Sequence, residues 1–167
     1  TVAGLEISMT PAVHSSSVVE NDDIVYLGHP AGFVVRMEDR RAFYFAGDTA
    51  LFGDMRLIAE EHAPEIAFLP IGDHYTMGPD AAARACKLLL VRQVVPMHYG
   101  TFPILTGTPE RLKELVEPSV DVLVLSANQP ISSVTKKALI DYANRGGAII
   151  AHHPGTWYAW PNFPQWN

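Results

Sequence analysis

The run Tyr44-Phe-Ala-Gly-Asp-Thr-Ala-Leu-Phe-Gly53 reads as a buried strand that breaks at Gly47 and exposes Asp48 at its end. A helix over about 52–62 then follows, with Phe52, Met55, Ala59 and His62 on one face. A carboxylate at the end of a buried strand is costly unless something positive meets it, and a metal ion is one such partner. Two other segments place a histidine just after an apolar, strand-like run: Pro11-Ala-Val-His14 and Val95-Pro-Met-His98. Three strand ends carrying His14, Asp48 and His98 outline a metal site. The competing readings are structural: His14 bonding a loop backbone, and Asp48 capping the helix that begins nearby.

Outward from that stretch, the chain alternates apolar runs and helical periods. Residues 2–10 read as a strand, Ile24–Leu27 as a short one, and Gly32–Met37 with Ala42–Ala46 as a hairpin turning at Glu38-Asp-Arg-Arg41. Ser15-Ser-Ser17 reads as a loop and Glu20-Asn-Asp-Asp23 as an acidic turn. Ile66–Ile71 is a continuous apolar run, as in a strand buried on both faces. Gly72-Asp-His-Tyr-Thr-Met-Gly78 is a loop at its end, and Pro79 suits the first turn of a helix running to about Leu90. A strand at Gln93–Met97, a helix opened by Thr108-Pro109 and a strand at Val120–Ser126 come next. A helix from Ser132 or Ser133 to about Asn144 and a last strand at Ala148–Ala151 complete the pattern, ending at His152-His153. The fold class is α/β, beginning with antiparallel strands and turning into strand–helix alternation.

Composition bounds the function. The chain has 167 residues and is 48% hydrophobic, enough for a substantial core. A formal charge of −6 argues against nucleic-acid binding through phosphates. No apolar run is long enough to span a membrane, and the start at Thr1-Val-Ala-Gly shows no signal-peptide pattern. The single cysteine, Cys86, fits a reducing, cytoplasmic compartment and falls on an apolar helical stripe with Ala82, Ala85 and Leu89. His29 reads as a surface loop residue, and His62 as a charge favourable to a helix C-terminus.

Four segments in order, Thr10-Pro-Ala-Val-His-Ser-Ser-Ser17, Ala46-Gly-Asp-Thr-Ala-Leu-Phe52, Leu69-Pro-Ile-Gly-Asp-His-Tyr-Thr-Met-Gly-Pro79 and Pro96-Met-His-Tyr-Gly-Thr-Phe-Pro103, carry a resemblance. The first 117 or so residues resemble the C-terminal half of metallo-β-lactamase-fold metal-dependent hydrolases. The resemblance implies half of an αββα sandwich. It implies that His14 is a ligand of one zinc, that Asp48 bridges two metals, and that His98 is a ligand of the second. Asp48 and His74 are then the candidate catalytic positions. Asp73, His74 and Thr76 take supporting or substrate-side roles. The family's H-x-H-x-D-H motif is not found among the histidines of this sequence, at 14, 29, 62, 74, 98, 152 and 153. At most one zinc ion is therefore expected here, with little or no turnover.

Residues 119–167 carry a different resemblance. Val120-Asp-Val-Leu-Val-Leu-Ser126, Ala138 to His153 with Gly146-Gly147, and the aromatic run Trp157 to Trp166 are similar to a fragment of trehalose-utilisation-type proteins. That implies a flavodoxin-like β-α-β fragment, with His152 or His153 facing a cleft. Taken together, the chain reads as 1–118 joined to 119–167: an engineered or recombined chimera, a natural fusion, or one fold echoing both. The start at Thr1 favours the first. Two alternatives to a chimera with a residual zinc site stand beside it. One is an active zinc-dependent ester or phosphodiester hydrolase, and the other a carbohydrate-binding module using the C-terminal aromatics. Apolar strands without their usual cover lead to the expectation of a homodimer.

Overall fold

The computed structural model describes residues 4–122, together with Lys137, Ile140, Asp141 and Asn144, which are helical. Chain order is β1 (Glu6–Pro11), β2 (Ser17–Glu20), β3 (Asp23–Tyr26), β4 (Ala31–Arg36), β5 (Ala42–Phe45), α1 (Met55–His62), β6 (Ile66–Pro70), α2 (Pro79–Leu89), β7 (Gln93–Met97), α3 (Pro109–Leu115) and β8 (Asp121–Val122). Among the described residues, six strands make one sheet in the order β1-β4-β5-β6-β7-β8, and β2 with β3 makes a separate ribbon. The first three strands of the sheet pair antiparallel. From β5 to β8 every pairing is parallel.

The hairpin between β4 and β5 turns where the sequence places it. Arg40 takes a left-handed φ of 75°, Arg40 N donates to Met37 O and Met37 N donates to Arg41 O. Asp39 accepts from the Arg41 backbone and side chain at 3.1 and 2.7 Å. These bonds to Arg41 hold the Asp39 carboxyl below its ordinary range. Of the β2–β3 ribbon, the sequence reading has the turn and the second strand, expected at Ile24–Leu27, and passes over only β2. The two strands join at Asn21 and Asp22, both at positive φ (50° and 66°). Such a two-residue turn matches the twist of a hairpin, and Asn and Asp tolerate it.

One face of the sheet builds the core. Val34, Ala42, Tyr44, Ala67, Leu69 and Val94 pack with Met55, Ile58, Ala82, Ala85, Cys86, Leu89 and Leu112. Cys86 is 2% exposed, the core position its helical stripe predicts. Pro79 opens α2 after the extended Gly78, with Asp80 in the first turn and Lys87 in the last, each favourable to the helix dipole. Helix α3 opens on Thr108, whose Oγ1 accepts from Arg111 N at 3.2 Å. Helix α1 begins at Met55, three residues later than expected, because Gly53 and Asp54 form a turn first. Its cap position is Asp54, so Asp48 is not the cap of this helix. His62 closes it as a last-turn base.

The other sheet face is also apolar. Register places Met9 opposite Phe33, Phe33 opposite Phe45, and Phe45 beside Phe68. Phe45 and Phe68 stack with centroids 4.3 Å apart. At the β1–β4 end this face is open: Ile7 is 47%, Met9 75% and Phe33 44% exposed.

Past Pro118 the sheet carries on. Asp121 pairs with Gln93 and Val122 with Val94, so the strand expected at 120–126 begins as β8 of the same sheet. The compact unit to which it belongs runs from residue 1 to 124, and a second comprises 125–167. The helix expected to about Asn144 coincides with the helical Lys137, Ile140, Asp141 and Asn144, where Lys137 Nζ pairs with Asp141 Oδ2 at 2.6 Å. The last strand, His152, His153 and the aromatic run lie outside the described residues.

Candidate metal-binding strand ends

Topology brings the candidate residues to one end of the sheet. Strands β5, β6 and β7 run parallel, and β1 runs in the same sense, being antiparallel to β4, which is itself antiparallel to β5. His14, Asp48, Asp73–Thr76 and His98 follow β1, β5, β6 and β7 respectively. All four segments therefore leave the sheet at the same end. This is the crevice position typical of open sheets with parallel strands.

Backbone bonds stitch these loops together. Val13 N donates to Thr49 Oγ1 at 2.9 Å, and Ala50 N to Val13 O at 2.8 Å. Thr49 Oγ1 donates in turn to Ala50 O at 2.8 Å. Met77 N donates to Thr49 O, Asp73 N to Met77 O, and Ile71 N to Met97 O, each at 3.0 Å. Thr49 is fully buried. Itself the residue after Asp48, it is bonded to Val13, the residue before His14, and to Met77 on the β6 loop; sequence reasoning did not single it out. Its only signal was its place directly after a strand-ending aspartate.

Asp48 and His98 meet. His98 Nε2 lies 3.6 Å from Asp48 Oδ2, with the two side chains 30% and 49% exposed. The other ring nitrogen, Nδ1, is buried and has no hydrogen-bond partner among the described residues. His98 sits at a φ of 54°, a strained conformation for a residue with a side chain. His14 is placed differently: its Nδ1 bonds Ser15 O at 2.8 Å, the local contact considered above as its structural reading. If Nδ1 donates there, Nε2 keeps the lone pair that a metal would use.

Asp73 and His74 are exposed on the loop after β6. Asp73 has a φ of 81°, and His74 meets Tyr75 edge-on with centroids 4.5 Å apart. Thr76 is buried and turns its hydroxyl to Met77 O at 3.4 Å. Among the described residues none of these three is hydrogen-bonded or ion-paired to Asp48 or His98. Beneath the site, the buried hydroxyls of Thr10 and Tyr44 lie on the core face. Burial pushes the Tyr44 phenol up to about 12, with Thr10 opposing the shift.

Zinc sites take three or four protein donors. Among the described residues no three His, Cys, Asp or Glu side chains group closely enough to hold a metal ion. The arrangement offers two donors in contact and a third, His14, on the stitched neighbouring loop. By themselves these residues do not make a complete centre.

The sheet, turning from antiparallel to parallel with His14, Asp48 and His98 following the ends of its strands, is that of the metallo-β-lactamase fold. Residues 1–99 match the family model described as the Beta-lactamase superfamily domain, and the chain belongs to that family. A UPF0173 metal-dependent hydrolase of Solibacter usitatus is 48% identical over 131 residues, 78% of this chain and 57% of that protein. One from Rubrobacter xylanophilus is 54% identical over 113 residues, 67% of this chain and 47% of that protein. The solved structure of Igni18, a metallo hydrolase from Ignicoccus hospitalis, superposes with a TM-score of 0.63 at 43% identity, covering 74% of this chain and 50% of that one. The chain thus spans about half the length of the curated relatives it matches. A match of 131 residues is too long to fit within 1–118, so the hydrolase likeness runs beyond Pro118.

Proposed function

We propose that this chain carries one half of the site of a metal-dependent hydrolase, with Asp48 and His98 as its metal donors and zinc as the metal. The observation that carries this is the 3.6 Å approach of His98 Nε2 to Asp48 Oδ2 at the ends of β5 and β7. His14 is the third donor in this reading, supported by the bonds that tie its loop to Thr49 and Ala50. Asp73 and His74 take substrate-side roles in this reading, supported by their exposure on the next loop. With two donors in contact, the chain alone holds one zinc weakly and hydrolyses esters or phosphodiesters slowly, if at all. The experiment is zinc titration of the purified chain, together with turnover of simple esters and phosphodiesters. One zinc bound, and lost on His98→Ala, supports the assignment. Equal zinc binding by the parent, Asp48→Ala and His98→Ala removes it.

We also propose a homodimer. The support is the apolar sheet face left open at Ile7, Met9 and Phe33. Most soluble homo-oligomers close with two-fold symmetry, and a second copy is the simplest cover. No observation favours the flavodoxin-like or chimeric reading, and β8 pairs with β7 in the same sheet; the carbohydrate-binding reading rests on aromatics outside the described residues. No described helix is long and apolar enough to cross a membrane.

A further inference from the structure

We propose that Gly72 is a positioning residue for His98: the space left by its missing side chain seats the imidazole that faces Asp48. Gly72 follows the end of β6, one residue before the exposed Asp73. Its backbone lies outside the left-handed region that demands glycine, so torsion does not explain the residue. Space does. A Cβ at this position would overlap the carbonyl oxygen of His98, and would lie 3.2 Å from His98 Nδ1 and 3.1 Å from Leu105 Cδ2.

Three observations make this contact matter for the site rather than for packing alone. First, His98 Nδ1 is buried without a hydrogen-bond partner among the described residues. Metal-ligating histidines are ordinarily oriented by a hydrogen bond from the second ring nitrogen. Here that nitrogen rests near Gly72 instead, so packing sets the ring's direction. Second, His98 holds a left-handed φ of 54°, which persists only where surroundings enforce it. The enforcing contacts come from the end of β6: Ile71 N bonds Met97 O at 3.0 Å, and Gly72 lies under the His98 carbonyl. Third, the segment after His98 is pinned to the same place. A Cβ on Gly107 would overlap the Ile71 carbonyl oxygen, and Leu105 is buried. Two glycines thus let the segment from His98 to Gly107 lie directly on the end of β6. The imidazole is thereby turned across β6 toward Asp48.

This deepens the reading of Asp48 and His98 as site residues, and rests on it only for its functional meaning. The test needs no metal, so the two can fail separately. Ring ¹H–¹⁵N correlation spectra are recorded for the parent, Gly72→Ala, Asp48→Ala and Gly53→Ala; a Cβ at Gly53 meets nothing within 4 Å. Expected is a displacement of the His98 ring signals in Gly72→Ala at least as large as in Asp48→Ala. The signals of His14, His29, His62 and His74 stay in place, and Gly53→Ala changes nothing. His98 signals that coincide in parent and Gly72→Ala overturn the proposal. Should Gly72→Ala fail to fold, the unaltered chain decides. A nuclear Overhauser contact between Gly72 Hα and the His98 ring is expected, and its absence overturns the proposal equally.

Discussion

His98 Nε2 reaches to 3.6 Å from Asp48 Oδ2, although the strands that deliver them are not neighbours. Strand β6 lies between β5 and β7. Two strand spacings separate their ends by about 10 Å. The side chains can meet only by leaning across the end of β6, and the left-handed His98 is how the chain does so. The loop that ends β6 therefore governs a contact in which none of its own side chains takes part.

Zinc affinity should follow that contact. Removing either partner leaves a single donor beside His14, and even supporting residues of metal sites cost about 10–100-fold in affinity. Asp48→Ala and His98→Ala should each weaken zinc binding by more than about tenfold. His74→Ala, on an exposed ring engaged with Tyr75, should leave it unchanged. Calorimetric titration of the three variants checks this; a loss in His74→Ala equal to that in His98→Ala would move the site to the β6 loop.

The sequence made the strands and the strand-end histidines legible for a simple reason. Ile66–Ile71 and Gln93–Met97 are unbroken apolar runs, and burial on both faces produces such runs. Strand β3 was legible at Ile24–Leu27 but its partner β2 was not, because Val18-Val19 is too short a run to stand out between a serine loop and an acidic turn. Distance was not legible either. Spacing placed His14, Asp48 and His98 at strand ends, but only loop geometry decides which side chains touch. The role of Thr49 depends on backbone partners that lie far away in sequence. The strand at Val120 looked like the opening of a second unit; its pairing with β7 is a long-range fact that no local pattern carries.

Leu69 offers a test of the core. It is fully buried on the face that packs against the helices, in the strand between the two site strands. Leu69→Ala should cost about 2–5 kcal/mol, since a buried leucine loses both its transfer energy and its cavity filling. Urea denaturation with the slope held in common measures it. A cost below about 1 kcal/mol would mean that the site end of β6 is not tightly packed.

Thr108→Ala should cost about 1 kcal/mol, because the hydroxyl that accepts from Arg111 N caps α3. The same denaturation experiment reads it, and Thr108→Ser should restore most of the loss.

Alkaline pH should destabilise the fold, and the sign follows from burial. Burial raises the Cys86 thiol from its ordinary 9.0 to about 12, and the Tyr44 phenol from 10.0 to about 12. Each group therefore holds its proton more tightly folded than unfolded. Their contribution is complete below pH 9 and is lost as pH climbs toward 12, where the unfolded chain releases the protons first. Denaturation midpoints should fall across that window, and less steeply in Cys86→Ala. A thiol reagent just below pH 9 should leave the folded chain unlabelled and label it fully in denaturant. Rapid labelling of the folded chain would show that Cys86 opens to solvent.

Association should follow the open end of the sheet. Ile7, Met9 and Phe33 face the side opposite the helices and are about half exposed or more. The Val19, Ile24 and Leu27 side chains of the ribbon and its exit are exposed too, at 74%, 79% and 62%. Apolar area gathered this way favours a partner, and charge placed within it opposes one. Light scattering of the chain at micromolar concentration should give twice the formula mass of 18.3 kDa. Met9→Lys and Phe33→Lys should shift it toward that single mass, because a lysine carried into an apolar interface must lose its hydration. Val19→Lys separates the surfaces: a dimer that survives it but not Met9→Lys closes through the sheet. A parent chain that runs as a cooperatively unfolding monomer would mean that the open face is covered without a second copy, and the dimer proposal would fall.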